Sequence, residues 1–251
     1  MKNSGKALLA AFRLIGLAGA AVLVLLTVGF LIGWLVVPLL AGTTPLVLNA
    51  ASLGKIFSNL VLDYLMWALL GLWVLFSAFT FYFFRDPDPL VPTAANLVIA
   101  PGHGKVDAID TVNEPEFMGG ECRRISIFLS VIDVHVQCAP VTGRVACFKH
   151  TPGQYLSALK AESAQFNENV LIGLDSAEPR GEKIGVRLIA GVIARRIVPW
   201  IKENDIVQRG ERISLIQFGS RVDVYLPPRA KIKVQLGDRV AGGETMIASF
   251  D

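Results

Sequence analysis

The candidate catalytic residues of this chain are three histidines and one glycine–serine pair. The histidines are His103, His135 and His150. An imidazole titrates near neutral pH, so it can accept or donate a proton during catalysis. His103 lies in the turn-forming run Pro101-Gly102-His103-Gly104, and His135 lies in Asp133-Val134-His135-Val136. A lone histidine is more often structural than catalytic, so neither position predicts a reaction by itself.

The pair Gly219-Ser220, in Gln217-Phe218-Gly219-Ser220-Arg221, offers a candidate nucleophile. A serine hydroxyl attacks a carbonyl once a nearby base takes its proton. The run lacks the second glycine of the Gly-x-Ser-x-Gly elbow found in many hydrolases. From composition alone, a turn or bulge between two strands is the simpler interpretation.

Two long uncharged segments precede these residues and predict a membrane anchor within residues 1–90. Leu14–Leu40 has 27 residues without a charge, and Tyr64–Phe84 has 21. At 1.5 Å per residue each forms a helix of roughly 30–40 Å, which matches a hydrocarbon core of about 30 Å. The first segment exceeds the short apolar core of a signal peptide, so we expect an uncleaved span. Aromatic residues followed by charge, as in Phe83-Phe84-Arg85, are typical of a helix leaving the bilayer.

The basic residues that flank these segments predict their orientation. Lys2, Lys6 and Arg13 precede the first segment, Arg85 follows the second, and only Lys55 lies between the two segments. The positive-inside rule then places both termini in the cytoplasm. We therefore expect a transmembrane helical hairpin in a bacterial inner membrane, with the remainder of the chain facing the cytoplasm.

Charge and cysteine content exclude several classes of protein. Residues 1–84 hold four basic side chains and one acid, whereas residues 85–251 hold 20 of each. The folded part thus has no basic excess, and no nucleic-acid partner is expected. Three cysteines without CxxC spacing predict neither a disulfide scaffold nor a metal site.

Residues 91–251 predict a β-rich domain, which makes the whole chain α+β. Short β-branched or alternating runs are separated by Gly, Pro and Asp turns. The predicted strands are Asn96–Ala100, Arg124–Leu129, Arg144–Phe148, Gly185–Ile189, Ser214–Phe218, Arg221–Tyr225 and Lys231–Gln235. Ile184–Trp200 fits one helix or two strands. Lys231–Ala248 is similar to the hairpin pattern of lipoyl-type barrels, but it has no lysine at a hairpin tip.

Four stretches of the sequence resemble the short, membrane-anchored branch of the phosphatidylserine decarboxylases. They follow the family's order over most of residues 83–228, and the last is the most specific because the family cuts itself there. The stretches are Phe83-Phe84-Arg85-Asp86-Pro87, Phe128-Leu129-Ser130 through Asp133-Val134-His135-Val136, Ile189-Ala190-Gly191 through Ala194-Arg195-Arg196-Ile197, and Phe218-Gly219-Ser220-Arg221 through Leu226-Pro227.

The resemblance implies that the chain cuts itself between Gly219 and Ser220. The products would be a β subunit, residues 1–219, and an α subunit, residues 220–251, which stay together. Ser220 would become a pyruvoyl group, a covalent cofactor that forms a Schiff base with the amine of phosphatidylserine and accepts the electrons released with CO₂. The expected reaction is the pyruvoyl-dependent decarboxylation of this lipid to phosphatidylethanolamine.

The resemblance also suggests roles for two histidines, with two departures from the family pattern. His135 matches the family histidine that is associated with decarboxylation, and we expect it to return a proton to the substrate. The family's Pro-Ala-Asp-Gly is Pro101-Gly102-His103-Gly104 here, and a second family histidine is Cys138. His103 is therefore our candidate for the base that activates Ser220, with Asp107 or Asp110 as candidates to orient it.

The sequence leaves the phosphate-binding residues, the assembly and the alternative functions open. Arg195 and Arg196 are candidates for binding the lipid phosphate, as are Arg85, Arg123 and Arg124. A homodimer is a candidate assembly. The alternatives are decarboxylation of another serine-bearing lipid, or a non-enzymatic membrane-anchored β module that has lost processing, which His103 in place of aspartate would favour.

Overall fold

The computed structural model describes residues 3–40, 48–156, 166–191, 196–217 and 220–251, with the backbone alone for 32–40 and 48–62. The chain divides into two compact units. One contains Leu8–Tyr82, and the other contains Met1–Ala7 and Phe83–Asp251.

The first unit consists of two helices, α1 (Lys6–Leu40) and α2 (Leu48–Phe83). Their windows Lys6–Leu31 and Asp63–Phe83 are long and apolar enough to cross a membrane. Large apolar side chains are exposed along both helices, including Leu17 and Leu75 at 69% each. A helix that is apolar on its exposed faces needs apolar surroundings, which indicates association with a membrane.

The two helices are in contact at described residues. Trp73 Nε1 of α2 donates a hydrogen bond to the Ile15 carbonyl of α1 at 3.3 Å. The Phe12 and Phe81 rings meet edge to face, with centroids 5.5 Å apart.

The second unit is β-rich, so the chain is α+β. Its described residues form fourteen strands: β1 (Leu97–Ile99), β2 (Gly104–Glu114), β3 (Gly120–Leu129), β4 (Val136–Cys138), β5 (Thr142–Thr151), β6 (Asn169–Glu178), β7 (Lys183–Ala190), β8 (Ile197–Pro199), β9 (Ile206–Val207), β10 (Arg212–Ile216), β11 (Ser220–Leu226), β12 (Lys231–Ile232), β13 (Arg239–Val240) and β14 (Met246–Ser249). They build an eight-stranded sheet in the order β13-β2-β3-β11-β7-β6-β5-β9 and two three-stranded sheets, β1-β14-β12 and β4-β10-β8.

Strand β11 is buried along its whole length at the centre of the large sheet. It pairs antiparallel with β3 on one side and β7 on the other. Alternation places Val222, Val224 and Leu226 on the face that joins the main hydrophobic core. Arg221 and Asp223 point to the opposite face, where buried charges require partners.

Each predicted strand run coincides at least in part with a strand of the structure. The region Ile184–Trp200, left open by the sequence, contains the two strands β7 and β8 among its described residues. Phe218, at the end of the predicted run Ser214–Phe218, lies outside the described residues. Strand β2 was missed because its polar, partly exposed residues have no apolar alternation.

Candidate functional site

Ser220 opens the central strand β11 and is fully buried. It pairs with Leu129 of β3 and Ala190 of β7, so the ladders on both sides fix its backbone. The register gives Ser220 the same sheet face as Val222, which belongs to the apolar core. Gly219 lies outside the described residues.

The Ser220 hydroxyl makes no hydrogen bond to any described residue. Leaving a buried hydroxyl unpaired costs about 1–3 kcal/mol, so native structures seldom do so without a reason. A hydroxyl that carries no structural hydrogen bond is available as a nucleophile. It therefore fits the part of a precursor that is converted into a pyruvoyl group.

His135 is also fully buried, between the end of β3 and the start of β4. Its Nδ1 lies 2.9 Å from the Asp133 carbonyl. Because a carbonyl can only accept, Nδ1 carries the proton and Nε2 carries the lone pair of the neutral ring. The His135 carbonyl accepts hydrogen bonds from Ile216 N at 3.1 Å and from Gln137 Nε2 at 2.6 Å. Both bonds hold the histidine backbone in place.

Burial lowers the pKa of His135 to about 4, against a smaller opposing effect of its hydrogen bond to Asp133. The imidazole is therefore neutral at physiological pH. The sequence suggested a histidine with an ordinary pKa near neutrality, whereas burial in the structure lowers that pKa.

Asp133 organises the turn that leads into His135. Its Oδ2 accepts hydrogen bonds from the Ser130 amide at 2.8 Å and the Ser130 hydroxyl at 2.7 Å. Arg239 lies 3.1 Å from Oδ1. Burial alone would raise the pKa of Asp133, but the bonds from Ser130 and Arg239 lower it overall. Ser130 follows Leu129, the partner of Ser220, so this turn connects the serine and histidine positions.

His103 lies between β1 and β2, in a loop that packs on the neighbours of Ser220. A Cβ atom at the preceding Gly102 would lie 3.6 Å from Leu129 and 3.7 Å from Val222. Burial lowers the pKa of His103, and the carboxylates of Glu244 and Asp133 oppose that shift. The site thus contains a second imidazole that burial keeps neutral. Because Ser220 Oγ has no partner among the described residues, His103 does not hydrogen-bond to it here.

The two aspartates suggested to orient His103 are bound to arginines instead. Asp107 forms a two-point contact with the buried Arg221, and Asp110 forms one with Arg124. Both arginines lie on other strands, Arg221 on β11 and Arg124 on β3, so the local sequence around the two aspartates gave no indication of these partners. The carboxylates that influence His103 most are Glu244 and Asp133.

Cys138, expected from the resemblance to stand in place of a second histidine, offers different chemistry. Burial raises the pKa of its thiol to about 12. The group stays protonated at neutral pH and cannot act as a base there. Of the two positions expected to depart from the family pattern, His103 has a basic lone pair at neutral pH and Cys138 does not.

The two candidate phosphate-binding arginines are only partly described. Arg195 lies outside the described residues. Arg196 is exposed, and its carbonyl accepts a hydrogen bond from Gln217 N at 3.2 Å. This bond connects Arg196 to the segment that runs from β10 towards Ser220.

Sequence reasoning missed two contributors to this region. Phe83 was interpreted as a residue of the membrane exit and of a family-resemblance stretch, without a role at the site, but its ring packs against that of His135 with centroids 4.2 Å apart. Arg212 was not singled out, yet its side chain is 1% exposed and binds Asp86 and Asp88. The sequence did contain a signal for Arg212. It is a charged residue within the largely apolar strand pattern Arg212-Ile213-Ser214-Leu215-Ile216.

Fold and site together define a membrane-associated α+β protein that holds a buried serine and a neutral histidine in a β-rich unit. The comparison with known families is more specific. The chain belongs to the phosphatidylserine decarboxylase family, whose model matches residues 76–248.

Relatives named phosphatidylserine decarboxylase proenzyme cover most of the chain. The protein of Desulfotalea psychrophila is 44% identical over 179 residues, which are 71% of this chain and 83% of the relative. That of Syntrophus aciditrophicus is 40% identical over 174 residues, 69% of this chain and 81% of the relative. That of Pelobacter propionicus is 38% identical over 211 residues, 84% of this chain and 92% of the relative.

The low pKa of His135 predicts how stability depends on pH. The unfolded chain protonates this residue below its ordinary pKa of 6.5, whereas the folded protein keeps it neutral until about pH 4. The unfolded state therefore binds more protons in this window, and the free energy of unfolding should fall by about 3 kcal/mol for this group as the pH drops from 6.5 to 4.

Denaturant titrations of the full-length protein in detergent measure this decline. His135→Gln, which cannot titrate, should show a smaller loss than the wild type between pH 6.5 and 4. Between pH 8 and 9 almost no second ring proton is bound at this position in either the folded or the unfolded state, so that interval is the control. Identical pH dependence for the two proteins in the acid window would contradict the assignment.

Proposed function

We propose that this protein converts phosphatidylserine to phosphatidylethanolamine and CO₂, using a pyruvoyl group that it makes from Ser220. The observation that supports the proposal is the buried Ser220 hydroxyl at the start of β11, which has no hydrogen-bond partner among the described residues, in a chain of the phosphatidylserine decarboxylase family. Relatives named as proenzymes support processing of the chain into two fragments.

Self-cleavage begins with attack of Ser220 Oγ on the Gly219 carbonyl, which moves the acyl group from nitrogen to oxygen. Glycine suits this position because no Cβ shields the carbonyl. Elimination then breaks the Cβ–O ester bond, releases Gly219 as a carboxylate and leaves dehydroalanine at 220. Hydrolysis consumes one water, releases ammonia and leaves the pyruvoyl group. The fragments are residues 1–219 and 220–251.

His103 is the proposed base for the first step. Its neutral imidazole can take the Ser220 proton, and its loop packs on the residues beside the serine. Cys138 is unsuited to this part because its thiol holds its proton at neutral pH. Asp133 and Glu244 are the carboxylates whose charges stabilise the imidazolium that forms.

Bound to the lipid amine, a pyruvoyl group serves as the electron sink for the loss of CO₂. His135 is the proposed proton carrier. Because it is neutral at rest, it first accepts a proton and then returns it to the substrate α-carbon. The burial of the ring keeps water from competing for that proton.

Residues 1–90 are the proposed anchor, a helical hairpin in a bacterial inner membrane, and residues 91–251 form the cytoplasmic catalytic domain. A two-chain lipid stays in the bilayer, so an anchored enzyme meets its substrate at the headgroup plane. Arg195 and Arg196 are proposed to bind the lipid phosphate. A homodimer remains a prediction without support from the comparisons.

Intact-mass measurement of the purified protein tests the cleavage. Residues 220–251 should appear as a fragment of roughly 3.5 kDa from the 27.2 kDa chain, with a carbonyl reactive to hydrazine reagents. Ser220→Ala should remain one chain and convert no phosphatidylserine. Ser176→Ala, which removes another buried serine hydroxyl, is the control and should process normally. A wild-type chain that never splits would favour the non-enzymatic β module.

The role of His103 is tested by the rate of processing in cell-free synthesis. His103→Ala should slow the appearance of the small fragment by about 100-fold or more, the usual contribution of a general base. His103→Asp, which restores the family residue, should retain cleavage, and His150→Ala should process like the wild type. Full processing of His103→Ala would make the assignment wrong.

The proposed orientation is tested with sealed membrane vesicles. Protease added to inverted inner-membrane vesicles should digest residues 91–251, whereas right-side-out vesicles should protect them. The opposite pattern would place the domain outside the cytoplasm. Detergent permeabilisation, which should remove protection in both preparations, is the control.

A further inference from the structure

Phe83 ends helix α2 but is buried in the β-rich unit. Its exposed fraction is 0%, whereas that of Phe81, two residues earlier, is 43%. The Phe83 and His135 rings lie with centroids 4.2 Å apart and planes inclined by 34°. Phe84 meets Phe83 edge to face at 5.0 Å. Phe83 therefore covers one face of the buried imidazole.

The residues that follow Phe83 are fixed to the turn that precedes His135. Arg85 donates a hydrogen bond from Nη2 to the Ile132 carbonyl at 2.6 Å. Ile132 belongs to the turn closed by Asp133 N and the Ser130 carbonyl at 2.9 Å. Arg85 thus ties the segment to the backbone three residues before His135.

Arg212 provides a second and stronger attachment. Its guanidinium lies 2.6 Å from the Asp86 carboxylate and 2.8 Å from Asp88 Oδ1. It also donates to the backbone carbonyls of Asp86 and Pro87 at 3.3 Å each. The side chain is 1% exposed, so removing a partner would leave a buried charge uncompensated. We therefore expect the contacts of Arg212 to hold this segment in a fixed geometry.

The same arginine belongs to the strand beside the histidine. Arg212 opens β10 and pairs with Cys138 of β4, and β4 begins directly after His135. The Ile216 amide at the end of β10 donates to the His135 carbonyl. One strand therefore holds the His135 backbone through its ladder and the Phe83 segment through the Arg212 side chain.

We propose that Phe83 is a positioning residue for His135 and that Arg212 holds it there through Asp86 and Asp88. This inference rests on the proposed function, in which His135 carries the proton. Stacking by Phe83 limits rotation of the imidazole and keeps water from its face. The segment where α2 ends is then part of the site that performs the chemistry, because a misplaced proton carrier slows the reaction steeply.

Phe83→Leu in the full-length chain is the central test, because leucine retains apolar volume and loses the aromatic face. We expect kcat for phosphatidylserine in mixed micelles to fall by about tenfold or more and KM to change less than about twofold. Phe83→Tyr restores the ring and should recover most of kcat. Phe81→Leu changes an exposed phenylalanine of α2 and should leave both constants near wild type.

A second readout does not depend on activity. Diethyl pyrocarbonate modifies accessible neutral imidazoles, and peptide mass spectrometry reports His135 relative to His150, whose side chain is 50% exposed. In the uncleaved Ser220→Ala background, Phe83→Leu should increase modification of His135 by about fivefold or more relative to His150. Arg212→Lys, which keeps the charge and loses the two-point geometry, should act in the same direction.

These results separate the inference from the proposed function. Unchanged kcat and unchanged His135 protection in Phe83→Leu would overturn the inference. If Phe83→Leu does not fold, Arg212→Lys with wild-type His135 protection overturns it equally. A wild-type protein that converts no phosphatidylserine would contradict the proposed function, while the protection measurement would still decide whether Phe83 shields His135.

Discussion

The pairing of β11 between β3 and β7 is the constraint on which the rest of the β-rich unit depends. Every residue of β11 is buried, and the strand carries Arg221 and Asp223 as well as apolar side chains. Arg221 is neutralised by Asp107, and Asp223 accepts a hydrogen bond from Ser126. A shift of register by one residue would turn both charges into the apolar core, so the ladder admits one alignment. That alignment fixes Ser220 at the start of the strand.

Burial gives three groups of the β-rich unit, His103, His135 and Cys138, a common property, which is neutrality at physiological pH. It lowers the pKa of both His103 and His135 and raises the pKa of the Cys138 thiol. Both imidazoles are therefore unprotonated on one ring nitrogen at neutral pH, whereas the thiol holds its proton. The same desolvation that costs stability when a histidine must charge leaves each lone pair unprotonated at neutral pH and also makes each imidazole a weaker base.

The segment at the end of α2, residues 83–88, leaves the membrane-type helix and also packs within the β-rich unit. Its aromatic and charged residues are typical of a helix leaving a bilayer and form one of the family-resemblance stretches, but the sequence predicted no contact with His135 or Arg212. In the structure Phe83 packs on His135, and Asp86 and Asp88 bind the buried Arg212. Each of these contacts joins residues about 50 or 125 positions apart, a separation at which local patterns carry no information.

The sequence by itself determined the α+β class, the two membrane-type helices, the strands with clear apolar alternation and the candidate residues Ser220, His135 and His103. These follow from local composition and from short motifs, which need no knowledge of distant contacts. Only the tertiary structure decided that Ile184–Trp200 holds two strands, that Asp107 and Asp110 serve arginines rather than His103, and that Ser220 lacks a hydrogen-bond partner among the described residues. Pairing, burial and the pKa shifts that burial causes depend on which remote segments come together, and that is set by the fold as a whole.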